Sequence, residues 1–160
     1  MPGTPAGFWR RLWGTLLDGL LYGLVALPFV VVGLVLIFAV GLGDCSTDPV
    51  TDDIVCNGQE NVGGIVAGAV VLFVGWVFVL VIYLRALATR GQTWGRKLAG
   101  VRVVDATTGA APGWGKAIGR SLFANVISAN VCYLGYLWML WDSKRQTWHD
   151  KVAGTLVVEA

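Results

Sequence analysis

The chain of 160 residues is 56% hydrophobic and 14% charged, with a formal net charge of +2 and a mean hydropathy of +0.67. A soluble domain carries roughly 25% charged residues, so this chain lacks the polar surface to cover a water-facing core and reads as an all-α membrane protein of one domain. The length leaves no room for a separate soluble catalytic lobe, and so small a net charge points away from nucleic acid.

Three uncharged runs follow in chain order: Gly19 to Gly43, Asn61 to Leu84 and Ser121 to Trp141. Each reaches the ~20 residues that a helix rising ~1.5 Å per residue needs to cross the hydrocarbon core. The first two are dense in Val, Leu, Ile and Phe and are expected to be transmembrane helices; the first is too long for a signal-peptide core and is expected to be retained. Asn125, Ser128, Asn130 and Cys132 dilute the third run. It is a hydrophobic helical segment that either spans or enters and returns as a re-entrant or in-plane pair broken near Asn125 to Asn130.

Charge sets the expected orientation. Residues 44–60 hold Asp44, Asp48, Asp52, Asp53 and Glu60 without a Lys or Arg, while every basic residue lies elsewhere. The positive-inside bias therefore puts the N-terminus and the segment after the second run in the cytoplasm and the acidic loop outside. A third full crossing would export Lys144, Arg145 and Lys151.

A repeat bears on that choice. Gln92 to Ala106 aligns without gaps on Gln146 to Ala160, with 9 of 15 positions identical. Each copy reads as a short amphipathic helical turn carrying Trp and Lys, a Gly stop, and a β-run, Val101 to Val104 and Thr155 to Val158. Strand backbone needs a partner, and the copies can pair with each other only on one side of the membrane, which favours a cytoplasmic C-terminus.

Cys45 and Cys56 flank the exported acidic loop, where oxidation is possible, and are expected to form a disulfide. No metal site is expected there, because the loop offers no His and no further Cys. Gly19, Gly23, Ala26 and Gly33 fall on one face of the first run, and Gly64, Gly68 and Gly75 on one face of the second, a pattern that permits close helix–helix approach in lipid. Pro28 should kink the first helix or free a carbonyl. Trp9, Trp13, Trp94, Trp114, Trp141 and Trp148 lie at or beyond run ends, as interfacial Trp residues do.

Asp18, about two turns into the first helix, is costly in an apolar setting unless paired, hydrogen-bonded or protonated. Arg11 on the same face and Arg120 at the edge of the third run are its candidate partners. The readings are a lock between helices, a titrating or ion-binding group, and exposure at the headgroups. His149 is the one His and has neither a neighbouring nucleophile nor a set of metal ligands beside it; it reads as a headgroup-level hydrogen-bonding residue, and no enzymatic role and no cofactor are expected.

The segments Gly7-Phe-Trp-Arg-Arg11 with Asp18, Gly91 to Asp105, Arg120, and Arg145-Gln-Thr-Trp-His-Asp-Lys-Val-Ala-Gly154 together resemble the RDD family of bacterial integral membrane proteins. The resemblance covers residues 7–158 as a single membrane domain, with the exported loop at 44–61 within it. It implies a multi-pass protein of the bacterial cell membrane, and it maps the family's Arg and two Asp onto Arg11, Asp18 and Asp150. It implies transport of cations, protons or small solutes, for which Asp18 with an Arg, Asn125 and Asn130 would form a polar path. So few crossings would then call for a homo-oligomer or a membrane partner. The competing reading is a non-transporting scaffold or accessory subunit, in which Arg90, Arg96, Lys97, Arg102 and Lys116 bind anionic lipid, each gaining around 1 kcal/mol.

Overall fold

The computed structural model describes residues 3–41, 45–51, 53–56, 61–128 and 134–160. Helix α1 (Phe8–Val35) continues as a π-helical segment over Leu36–Gly41, and α2 covers Val62–Arg90. Among the described residues these two helices are long and apolar enough to cross a membrane. α1 passes unbroken through Pro28, so the expected interruption takes its milder form: proline supplies no amide for the Leu24 carbonyl. Between the helices, β1 (Cys45–Thr47) and β2 (Ile54–Cys56) form an antiparallel pair.

The chain divides into two compact units, one of residues Leu24–Leu80 and one of Met1–Gly23 with Val81–Ala160. In the first, close approach of α1 and α2 depends on missing side chains. A Cβ at Gly33 would strike Leu72, one at Gly68 the Gly33 carbonyl and Ile37, and one at Gly75 the Phe29 ring. The small-residue face expected on α1 is therefore used only in its C-terminal half. Gly19 and Gly23, expected on the same contact face, have open space where a side chain would stand.

The second unit is built on the repeat. Each copy forms a short helix, a left-handed glycine and a strand: α3 (Trp94–Leu98), Gly100 and β3 (Val101–Asp105); then α6 (Trp148–Ala153), Gly154 and β4 (Thr155–Glu159). Gly100 at φ 66° and Gly154 at φ 61° occupy the conformation that ends a helix at little cost only when the residue lacks a Cβ. The strands run one residue beyond the expected β-runs and pair antiparallel, with Val103 opposite Val157, its counterpart in the other copy. The flanking bonds repeat the symmetry: the Ala106 amide donates to the Gly154 carbonyl at 3.0 Å, and the Ala160 amide to the Gly100 carbonyl at 2.9 Å. Gln92 and Gln146, also equivalent, each donate a side-chain amide to the carbonyl nine residues on. The two copies are thus related by a local two-fold axis through the Val103–Val157 pair.

The N-terminal segment lies along the outer edge of β4, where the Ala6 amide donates to the Val157 carbonyl at 3.0 Å. Ala6, Leu87, Val101, Val103, Ala117 and Val157 make the small core of this unit. The third apolar run is described over residues 121–128 and 134–141. α4 (Gly113–Phe123) passes into a π-helical segment at Ala124–Ser128, and the chain is next described at α5 (Leu134–Leu137), followed by a 3-10 turn at Trp138–Leu140.

Candidate functional site

The two buried carboxylates of the second unit, Asp18 and Asp150, each centre a clasp between α1 and a repeat copy. Asp150 is at the centre of one. Its Oδ2 accepts from Arg11 Nη1 at 3.1 Å and its Oδ1 from Arg120 Nε at 2.8 Å. The Thr155 hydroxyl donates to Oδ1 and the Thr147 amide to Oδ2, both at 3.3 Å. Thr147 also caps α6 by accepting from the Asp150 amide, which closes a reciprocal capping box. Asp150 is fully buried, and burial alone would raise its carboxyl; the Arg120 and Arg11 guanidiniums outweigh that and hold it at about 2. Arg11 does more than pair: its Nε donates to the Ala6 carbonyl and its Nη2 to the Val157 carbonyl, each at 3.1 Å, so one guanidinium ties the N-terminal segment, β4 and α6 together.

Asp18 forms the other clasp, and its partner differs from the two expected. Neither Arg11 nor Arg120 reaches it, because both are committed to Asp150. Instead Oδ2 accepts from the Thr93 hydroxyl at 2.5 Å, Oδ1 accepts from the Gly95 amide at 2.7 Å, and Arg96 Nε stands 3.8 Å from Oδ2. An acid receiving a hydroxyl and an amide at the first turn of α3 is placed where that helix presents unpaired donors. The approach is close enough that a Cβ on Gly95 would run into the Asp18 amide. Arg96 Nη2 donates to the Tyr83 hydroxyl at 3.2 Å, and Tyr22 stacks on Trp94 with ring centroids 4.9 Å apart. Asp18 is buried, which removes the reading of exposure at the headgroups.

His149 is buried within the second unit, with the Tyr136 ring 4.9 Å away. Burial first and the Arg120 charge second push its imidazole down to about 3, leaving it neutral. Asn125 does not join the charged cluster: it is exposed, and its side-chain amide donates to the Ser121 carbonyl one turn back. Asn130 lies outside the described residues. β1 and β2 bring Cys45 opposite Cys56 in register, while the side chains of both lie outside the described residues.

Thr93, Gly95, Arg96 and Thr147 are the site residues that sequence reasoning missed as such. One signal was present: in the repeat alignment Arg96 falls on Asp150.

A model of the RDD family matches residues 5–154. The chain belongs to the RDD family. The match takes in Arg11, Asp18 and Asp150 together with their partners Thr93, Arg96 and Arg120. This RDD chain is also 41% identical over 70 residues to a "Proline-rich antigen homolog" of Mycobacterium tuberculosis, which covers 44% of this chain and 29% of that protein. It is 38% identical over 66 residues to a "Proline-rich antigen" of Mycobacterium leprae, covering 41% and 26% respectively. The RDD chain thus matches less than a third of the length of these curated relatives. No solved structure matches it.

Proposed function

We propose that this RDD protein is a non-enzymatic, non-transporting membrane module, an accessory or scaffold unit whose two arginine–carboxylate clasps fix the repeat lobe to the start of α1. The observation that carries this reading is that both oxygens of each carboxylate already have a protein donor. A cation or proton path asks an acid to take up and release its ion. Asp18 already has a hydroxyl, an amide and Arg96 around it, and Asp150 has two arginines and two threonine donors. Groups held in this way serve as fixed countercharges.

In this reading the module sits in the bacterial cell membrane with both termini cytoplasmic and the loop 44–61 outside. The distribution of Lys and Arg supports this, as does the joining of the N-terminal segment, β3 and β4 in one unit. A homo-oligomer or membrane partner and anionic lipid on the basic side complete the role. That the matching segment is under a third of the curated relatives is in keeping with a module that other sequence is joined to.

Flux in proteoliposomes tests the proposal. Wild type and Asp18→Asn should show the same background Na⁺, K⁺ and proton flux as empty liposomes. Flux above background that Asp18→Asn abolishes would replace the scaffold reading with a titrating transport site.

A further inference from the structure

Between the start of α1, the repeat sheet and the segment after α4 lies a cavity of about 350 Å³, within the second unit. Its walls are largely apolar and include Phe8, Leu12, Leu137 and Met139, yet Arg11, Arg96 and Arg120 all line it. The charges do not balance. Three buried guanidiniums face two buried carboxylates, and the neutral His149 adds no charge. The surplus sits at Asp150, which two guanidiniums share, while the unmet bonding capacity sits on Arg96. Arg96 spends Nη2 on Tyr83 and Nε on a long 3.8 Å approach to Asp18, whereas its Nη1 is buried and has no hydrogen-bond partner among the described residues. A buried guanidinium nitrogen left unsatisfied is costly, and an oxyanion is the group that relieves it best.

We propose that this cavity binds an amphipathic anion, an oxo-acid head facing the Arg96 guanidinium beside those of Arg11 and Arg120, with a short hydrocarbon chain against Phe8, Leu12, Leu137 and Met139. The volume lies at the lower end of the range for small-molecule sites, and apolar walls with a few convergent polar groups are their usual form. The head can come from a free carboxylic acid or from the phosphate of an anionic lipid, and both present the same oxygens to the guanidinium. The site stands independently of whether the module carries a partner or a solute.

The test uses full-length protein in phosphatidylcholine nanodiscs, titrated with octanoate, with octan-1-ol and with dihexanoyl phosphatidic acid. At least one anion should bind saturably and at least tenfold more tightly than octan-1-ol. Leu137→Trp, which narrows the cavity without replacing a clasp residue, should weaken that binding at least tenfold. Tighter octanoate identifies a free acid as the ligand; tighter phosphatidic acid identifies a lipid head. A diazirine-bearing octanoate gives a readout that needs no variant, and it should label peptides containing Phe8 to Thr15 or Leu137 to Met139. Equal binding of octanoate and octan-1-ol, no saturable binding of either anion, or labelling confined to residues 24–80 would overturn the proposal.

Discussion

Arg96 and Asp150 occupy the same position in the two repeat copies, carry opposite charges, and are each met by the opposite charge from α1. Asp18 meets Arg96, and Arg11, two turns earlier, meets Asp150. A two-fold repeat with identical charges would need identical partners, and a single helix running past both copies presents different residues to each. Reversing the charge in one copy lets one helix clasp both. Arg120 reinforces the Asp150 clasp, whereas the surrounding Thr93, Gly95 and Tyr83 reinforce the other.

The buried His149 makes stability depend on pH in a defined direction. Its ordinary value of 6.5 falls to about 3 in the fold, so between those limits the unfolded chain takes up a proton that the folded chain refuses. Stability should fall as pH drops from 6.5 toward 3, by up to ~1.4 kcal/mol per pH unit. Asp150 adds a separate acid limb: its contribution is complete above its ordinary value of 3.8 and is lost as pH falls through about 2. Thermal unfolding in detergent at pH 7.5, 5.5 and 4.5 should show a decline for wild type that His149→Gln largely removes. Equal declines in both proteins would place the titrating group elsewhere.

Close contact at Gly95 should make it intolerant of any side chain. Gly95→Ala drives a methyl into the α1 backbone at Asp18 and should cost at least the ~1 to 3 kcal/mol typical of overpacking. Gly119→Ala, on an exposed face of α4 with open space around it, should instead stabilise by about 0.5 to 1 kcal/mol through its helix propensity. Denaturant unfolding of the two variants checks the sign of each.

The acidic loop is expected to be cross-linked. The Asp48 amide donates to the Asp53 carbonyl, and counting back along the antiparallel register makes Cys45 and Cys56 a non-hydrogen-bonded pair. Such pairs bring Cα atoms to about 4.5 Å, inside the range a disulfide spans. Mass spectrometry of protein alkylated without reductant should recover a linked Cys45–Cys56 peptide. Two alkylated thiols would exclude the bridge.

What sequence could show and what it could not divide along physical lines. The two long helices follow from uninterrupted apolar runs, and the β3–β4 pair from a repeat whose strands needed partners. The small-residue faces were only half informative, since Gly33, Gly68 and Gly75 meet the opposite helix whereas Gly19 and Gly23 do not. Asp18 was recognisable as a buried acid because α1 carries it well past the helix start, but proximity along the helix favoured Arg11. Its real partners come from the docking of α3, which depends on the absent side chain of Gly95 and on Thr93, and neither bears a charge. The burial of His149 was not legible for a related reason: a lone His beside interfacial Trp residues carries no mark of the Tyr136 ring and the Arg120 charge around it.

The pairing of Asp18 with Arg96 is tested most directly by a double-mutant cycle in denaturant unfolding, with Asp18→Asn combined in turn with Arg96→Gln and with Arg120→Gln. Each single change strands a buried countercharge and should cost about 3 to 5 kcal/mol. The Asp18–Arg96 double variant should recover at least ~1 kcal/mol relative to the sum of its singles, while the Asp18–Arg120 double should be additive. Additivity for Asp18 and Arg96, with coupling to Arg120 instead, would contradict the clasp between α1 and the first repeat copy.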